Sequence, residues 1–89
     1  SQQQQSDQAL LAQWQTLTAG EQAVVRGVVA GQLNKQIAAD LGVSEITVKV
    51  RRGNAMRKLQ LRSVADVVRL WDRLQALQTD AGSSGSTIS

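Results

Sequence analysis

The sequence contains no histidine, cysteine, proline, phenylalanine or tyrosine. Without histidine there is no Ser/His/Asp triad, no Cys/His pair and no histidine-ligated metal; without cysteine there is no disulfide and no thiolate metal site. Catalysis and a bound cofactor are therefore not expected. No run of eighteen apolar residues and no basic stretch leading into an apolar one is present, so neither a membrane span nor a secretory signal is read, and a soluble cytoplasmic chain is expected. With 89 residues the chain suits one small domain held together by packing alone. Its core must come from Leu, Val, Ile and Ala with Trp14 and Trp71, a composition that favours helix over sheet.

Two flanks are polar. Residues 1–6 form a glutamine-rich stretch read as disordered linker, and residues 80–89 form a Gly/Ser tail also read as disordered. Within residues 7–16, Leu10, Leu11 and Trp14, continued by Leu17, recur at helical spacing, predicting a linker helix that packs on the domain. Residues 17–79 make the domain itself. Thr18 with Glu21 is a capping box that starts its first helix, whose apolar stripe is Val24, Val25, Val28 and Val29; Gly31 suits its left-handed end. Asn34 is placed to cap a two-turn second helix bearing Ile37, Ala38 and Leu41, which stops at Gly42. Ser44 caps a third helix with Val48, Ala55, Met56 and Leu59 inward. Ser63 caps a fourth, with Asp66 favouring its positive end and Val64, Val67, Val68, Trp71, Leu74 and Leu77 as apolar members.

The net charge is only +3, but it is concentrated. Six of the ten basic residues, Lys49, Arg51, Arg52, Arg57, Lys58 and Arg62, fall within fourteen positions on or just after the third helix, and no acidic residue lies between Ile46 and Ala65. A charge run by itself is ordinarily a solvated helix face. Here it follows a short helix and the Gly-containing turn Gly42-Val43-Ser44, which together describe a helix-turn-helix whose second helix enters the major groove.

At roughly 100° per residue, a helix with Val48, Ala55 and Leu59 inward points Lys49, Val50 and Gly53 outward. Lys49 suits guanine O6 or N7, and Val50 a thymine methyl. An exposed valine gains nothing in water, which suggests that a partner covers it. Gly53 either lets the helix approach the duplex or is simply a missing contact. Thr47 suits a phosphate oxygen near the helix N-terminus, Arg51, Arg52 and Arg57 suit phosphates beside the reading face, and Lys35 on the second helix is a further phosphate candidate.

The segments Leu17-Thr18-x-x-Glu21, Val29 through Ala38, Leu41-Gly42-Val43-Ser44-Glu45-x-Thr47-Val48-Lys49 and Met56-Arg57-Lys58-Leu59 closely resemble the LuxR-type (GerE-like) helix-turn-helix, from about Leu17 to Leu70. Within it the sequence looks most like the C-terminal effector domain of FixJ-type two-component response regulators. The resemblance implies an all-α, four-helix domain, with the additional linker helix before it, that binds double-stranded DNA as a dimer and regulates transcription. It implies an upstream receiver domain and RNA polymerase as a partner. The family's base-reading positions fall on Lys49, Val50 and Gly53, and its phosphate positions on Thr47, Lys35 and the basic residues Arg51, Arg52, Arg57 and Lys58. Relatives commonly carry histidine where Arg51 stands and a base-touching side chain where Gly53 stands, which bears on specificity at that step.

In relatives the fourth helix supplies the dimer contact, here Val64, Val67, Val68 and Trp71. The same residues suit an intramolecular core equally well. Two other readings compete. A sigma-factor promoter-reading domain shares the motif but normally ends soon after its recognition helix, whereas Ser63 starts another. A protein-interaction module would use the Trp14 and Trp71 helices and keep the basic helix for solubility.

Overall fold

The computed structural model describes the backbone of residues 2–86 and the side chains of residues 7–77. It contains five helices and, among the described residues, no strand: α1 (Gln2–Gln15), α2 (Ala19–Val29), α3 (Asn34–Leu41), α4 (Glu45–Lys58) and α5 (Val64–Ser86). The boundaries differ from the sequence reading at both ends. α1 already runs from Gln2, where a linker is expected up to residue 6, and α5 continues to Ser86, past the expected tail start at 80. Glutamine is a good helix former and no proline interrupts residues 2–6, so local propensity extends α1 toward its start; the Gly/Ser composition of residues 80–86 supplies no such reason for the extension of α5. Ser1 and residues 87–89 lie outside the described residues.

From the start of α2 to the start of α5 the helix boundaries have identifiable chemical stops. The Thr18 hydroxyl accepts from the Glu21 N–H at 3.1 Å, and the Thr18 N–H donates to the Glu21 carboxylate at 2.9 Å, closing the expected capping box. α2 ends at Ala30, after which Gly31 turns left-handed at φ 80°. The Gln32 N–H reaches the Gly27 carbonyl and the Gly31 N–H the Val28 carbonyl, both at 3.0 Å, a paired closure that satisfies the last carbonyls. Asn34, expected to cap α3, does not. Leu33 occupies the cap position, its N–H donating to Gln36 Oε1 at 2.8 Å, and the Asn34 side chain instead accepts from Arg52. Gly42 ends α3 at φ 69°, and Ser44 caps α4 by accepting from the Thr47 N–H at 3.1 Å. Gln60 closes α4 in the left-handed region at φ 58°, a position that costs a side-chain-bearing residue strain glycine would avoid. At α5, Ser63 Oγ accepts from the Asp66 N–H at 3.2 Å.

One core joins all five helices: Trp14 and Leu17, Val24, Val25 and Val28 from α2, Ile37 and Ala38 from α3, Val48, Ala55 and Leu59 around α4, and Val67, Leu70 and Leu74 from α5. Leu41 is more exposed than its spacing suggests, and Leu70, absent from the expected apolar set, is buried. α2 and α3 cross closely at Gly27, where a Cβ would stand 2.7 Å from Ile37 Cγ1. α1 is clamped to α5. Trp14 meets Trp71 edge to face with ring centroids 5.5 Å apart, and Arg73 donates two hydrogen bonds to the Asp7 carboxylate, at 3.0 and 2.7 Å. The Arg26 guanidinium lies 5.9 Å from the Trp14 ring centroid on the α2 side.

Candidate nucleic-acid interface

α3 and α4 are joined by a tight turn, and Val48, Ala55 and Leu59 hold one side of α4 against the core. The opposite side is fixed by helical rotation. Taking roughly 100° per residue, Ile46, Val50, Gly53 and Arg57 form one row facing away from the core, with Lys49 beside it. All five are exposed, Ile46 at 74% and Val50 at 56%. A Cβ on Gly53 would meet nothing within 4 Å, so the row has a gap where another backbone can approach. Lys49, Val50 and Gly53 therefore share the outward face that their spacing implies. Ile46 belongs to it as well. Sequence reasoning passed over Ile46, although the rotation that turns Val50 outward also turns outward the residue four positions earlier.

The cations divide into two sets. Lys49, Arg57 and Arg62 are exposed, Arg57 donating to Asn54 Oδ1 on its own helix, and Lys35 is exposed on α3. Arg51, Arg52 and Lys58 are drawn toward the protein. The Arg51 guanidinium covers Gly20 at the start of α2, so close that a Cβ there would lie 2.9 Å from it. Arg52 donates to Asn34 Oδ1 at 3.2 Å, bracing α4 against the start of α3. Lys58 is the clearest departure from the expected phosphate set. Its ammonium pairs at 2.8 Å with Glu21, which is only 4% exposed, and it reaches the Thr16 carbonyl at 3.4 Å. Lys58 beside it holds the Glu21 carboxyl below the usual carboxylate range, helped by the Thr18 hydrogen bonds and opposed by burial. The Thr47 hydroxyl lies 3.0 Å from Ser44 Oγ, so these two hydroxyls stand together at the start of α4.

The expected dimer residues also divide. Val67 is 2% exposed and part of the core, and Trp71 packs on Trp14, because α1 covers that side of α5. Val64 and Val68 face outward, 44% and 36% exposed. Near them a groove of about 300 Å³ runs between the α2–α3 turn and the start of α5, lined in part by Leu33, Arg52 and Val64. Asp66 lies between the two valines in sequence and accepts from Arg69 at 2.6 Å, a pairing that lowers its carboxyl pKa together with the Arg62 N–H.

A short helix, a tight turn and a second helix held by its inner side with an open, cation-flanked outer side define a helix-turn-helix regulator. Residues 15–71 match the model of the bacterial regulatory proteins of the luxR family, and the chain belongs to that family. It is 49% identical over 61 residues to nodulation protein W of Bradyrhizobium diazoefficiens, a match covering 68% of this chain and 27% of that protein. It is 46% identical over 59 residues to the transcriptional regulatory protein FixJ of Rhizobium meliloti, covering 66% of this chain and 29% of FixJ. The solved structure of the response regulator StyR superposes with a TM-score of 0.78 at 42% identity, covering 81% of this chain and 36% of StyR. The chain thus spans about a third or less of these relatives. The matched segment includes the first part of α5, the helix a sigma-type reading lacks, and the luxR assignment displaces that alternative. No helix of the described residues is long and apolar enough to cross a membrane.

Proposed function

We propose that this chain is the DNA-binding effector part of a longer response regulator, reading a specific double-stranded sequence with α4 in the major groove. The observation that carries the reading is the outward row on α4, where the exposed aliphatic side chains Ile46 and Val50 lead into a stretch, Lys49 to Arg62, whose charged residues are all cations. Lys49 donates to a guanine edge, Val50 contacts a thymine methyl, and Gly53 admits the groove. Arg57, Arg62, Lys35 and the Thr47 hydroxyl hold phosphates, as do Arg51 and Arg52 to the extent that their partners release them, while Lys58 serves the fold.

Two copies meet through Val64 and Val68 of α5 and read half-sites related by twofold symmetry. A receiver domain precedes α1 in the full regulator, which acts in the cytoplasm, with RNA polymerase as the partner it acts upon. Likeness to the transcriptional regulatory protein FixJ and to the response regulator StyR supports this reading.

The test is selection of bound duplexes from a random pool, followed by a salt titration on the winner. With about four to six phosphates neutralised by each copy, log affinity falls against log salt with a slope of roughly −4 to −5 per copy bound. A flat response contradicts DNA binding.

A further inference from the structure

Ile46 is 74% exposed, more than any other large apolar side chain among the described residues, and it stands one turn before Val50, which is 56% exposed. Two branched aliphatic side chains at i and i+4 make a continuous apolar strip along the helix. On a solvated helix such a strip gains nothing from water, and both residues are weaker helix formers than alanine. Lys49 lies beside the strip, Arg57 continues the same face beyond it, and Glu45 at the start of the helix is the acid next to Ile46; Gly53 leaves open space just beyond Val50. A surface of this charge, with an apolar centre and a gap, is complementary to a polyanion that presents apolar groups in a groove. The 5-methyl of thymine is the apolar group exposed in the major groove.

We propose that Ile46 is a specificity residue which, with Val50, forms a methyl-reading strip that selects two thymines in each half-site. The proposal rests on the DNA-binding reading above and adds what that reading lacks, a second aliphatic contact and a register. Ile46 and Val50 are separated by about 6 Å along the helix axis, against roughly 3.4 Å per base step along one strand. The two methyls therefore lie about two base steps apart or fewer.

The experiment uses the 89-residue chain and the duplex selected from the random pool, with each thymine replaced in turn by deoxyuridine, which removes only the 5-methyl. Replacement at two neighbouring thymines per half-site weakens binding by roughly fourfold each, the worth of one buried methyl group. Ile46→Ala abolishes the response at one of these positions and Val50→Ala at the other, and neither changes affinity for scrambled duplex. Both variants keep the wild-type melting curve or improve it, since the side chains touch mainly solvent and alanine is the better helix former. Full tolerance of deoxyuridine, with selected duplex still preferred over scrambled, overturns this proposal and leaves the DNA-binding reading standing. Wild-type binding by Ile46→Ala also overturns it and assigns the strip to an apolar protein partner. No preference for any duplex overturns both readings together.

Discussion

α4 and α5 each carry an exposed aliphatic pair one turn apart, Ile46 with Val50 and Val64 with Val68, and the two pairs sit in different electrostatic surroundings. Around the first, Glu45 precedes Ile46, but from Lys49 to Arg62 the charged side chains are all cations. Around the second, Asp66 pairs with Arg69 and Asp72 follows, so the field is mixed. Apolar surface set in an excess of positive charge suits a nucleic acid, whereas apolar surface among balanced charges suits another protein surface. Exposure alone does not separate the two helices; the neighbouring charges do. The same contrast runs through the cations of α4 itself, where Lys58 neutralises a buried carboxylate and Arg57 faces outward, though the two are adjacent in sequence.

The contrast between inner and outer residues breaks first in stability. Val48→Ala empties part of a fully buried site and costs about 2 kcal/mol in a denaturant melt, while Val50→Ala on the outer side changes stability by less than about 0.5 kcal/mol. Equal losses would mean that α4 is rotated from the described orientation.

The adjacent cations give the next contrast. Lys58→Met leaves Glu21 without its ammonium and costs about 1 kcal/mol, limited by the partial exposure of Lys58, with the salt slope of DNA binding unchanged. Arg57→Ala spares stability and flattens that slope by about one unit. A slope change in Lys58→Met would return Lys58 to the phosphate contacts.

Acid titration sharpens the assignment of Glu21. Because its carboxyl titrates below its unfolded value of 4.5, its contribution to stability is complete above that pH and is lost as pH falls through the lowered value. In Lys58→Met this acid-side loss is smaller, since the largest cause of the shift is gone. The smallest effect is a gain: Gln60→Gly relieves the left-handed backbone and raises stability by about 0.5–1 kcal/mol without altering DNA affinity.

Much of the fold was legible because its punctuation is local. The box of Thr18 and Glu21, the left-handed Gly31 and Gly42 and the Ser44 cap all rest on groups within a few residues of each other, and a sequence displays those spacings directly. What escaped depends on long-range pairing. Asn34 has good capping chemistry, but Arg52, eighteen positions on, engages its side chain, and the cap passes to Leu33. Lys58 and Glu21 stand 37 positions apart, so nothing local marks that lysine as structural. By resemblance Val67 and Trp71 are interface candidates, and they suit the core equally; for Trp71 the deciding partner, Trp14, lies far upstream on α1. On α4 the helical rotation placed Lys49, Val50 and Gly53 outward as the structure has them, and it contained Ile46 too.

The central claim, that the outward row of α4 reads bases, is tested most directly by the affinity ratio between selected and scrambled duplex, measured for the wild-type chain and for Lys49→Ala. The account predicts that Lys49→Ala lowers this ratio by roughly 1–3 kcal/mol while binding to scrambled duplex stays nearly intact. An equal loss on both duplexes would contradict it, making Lys49 one more phosphate contact and leaving α4 without a reading face at that position.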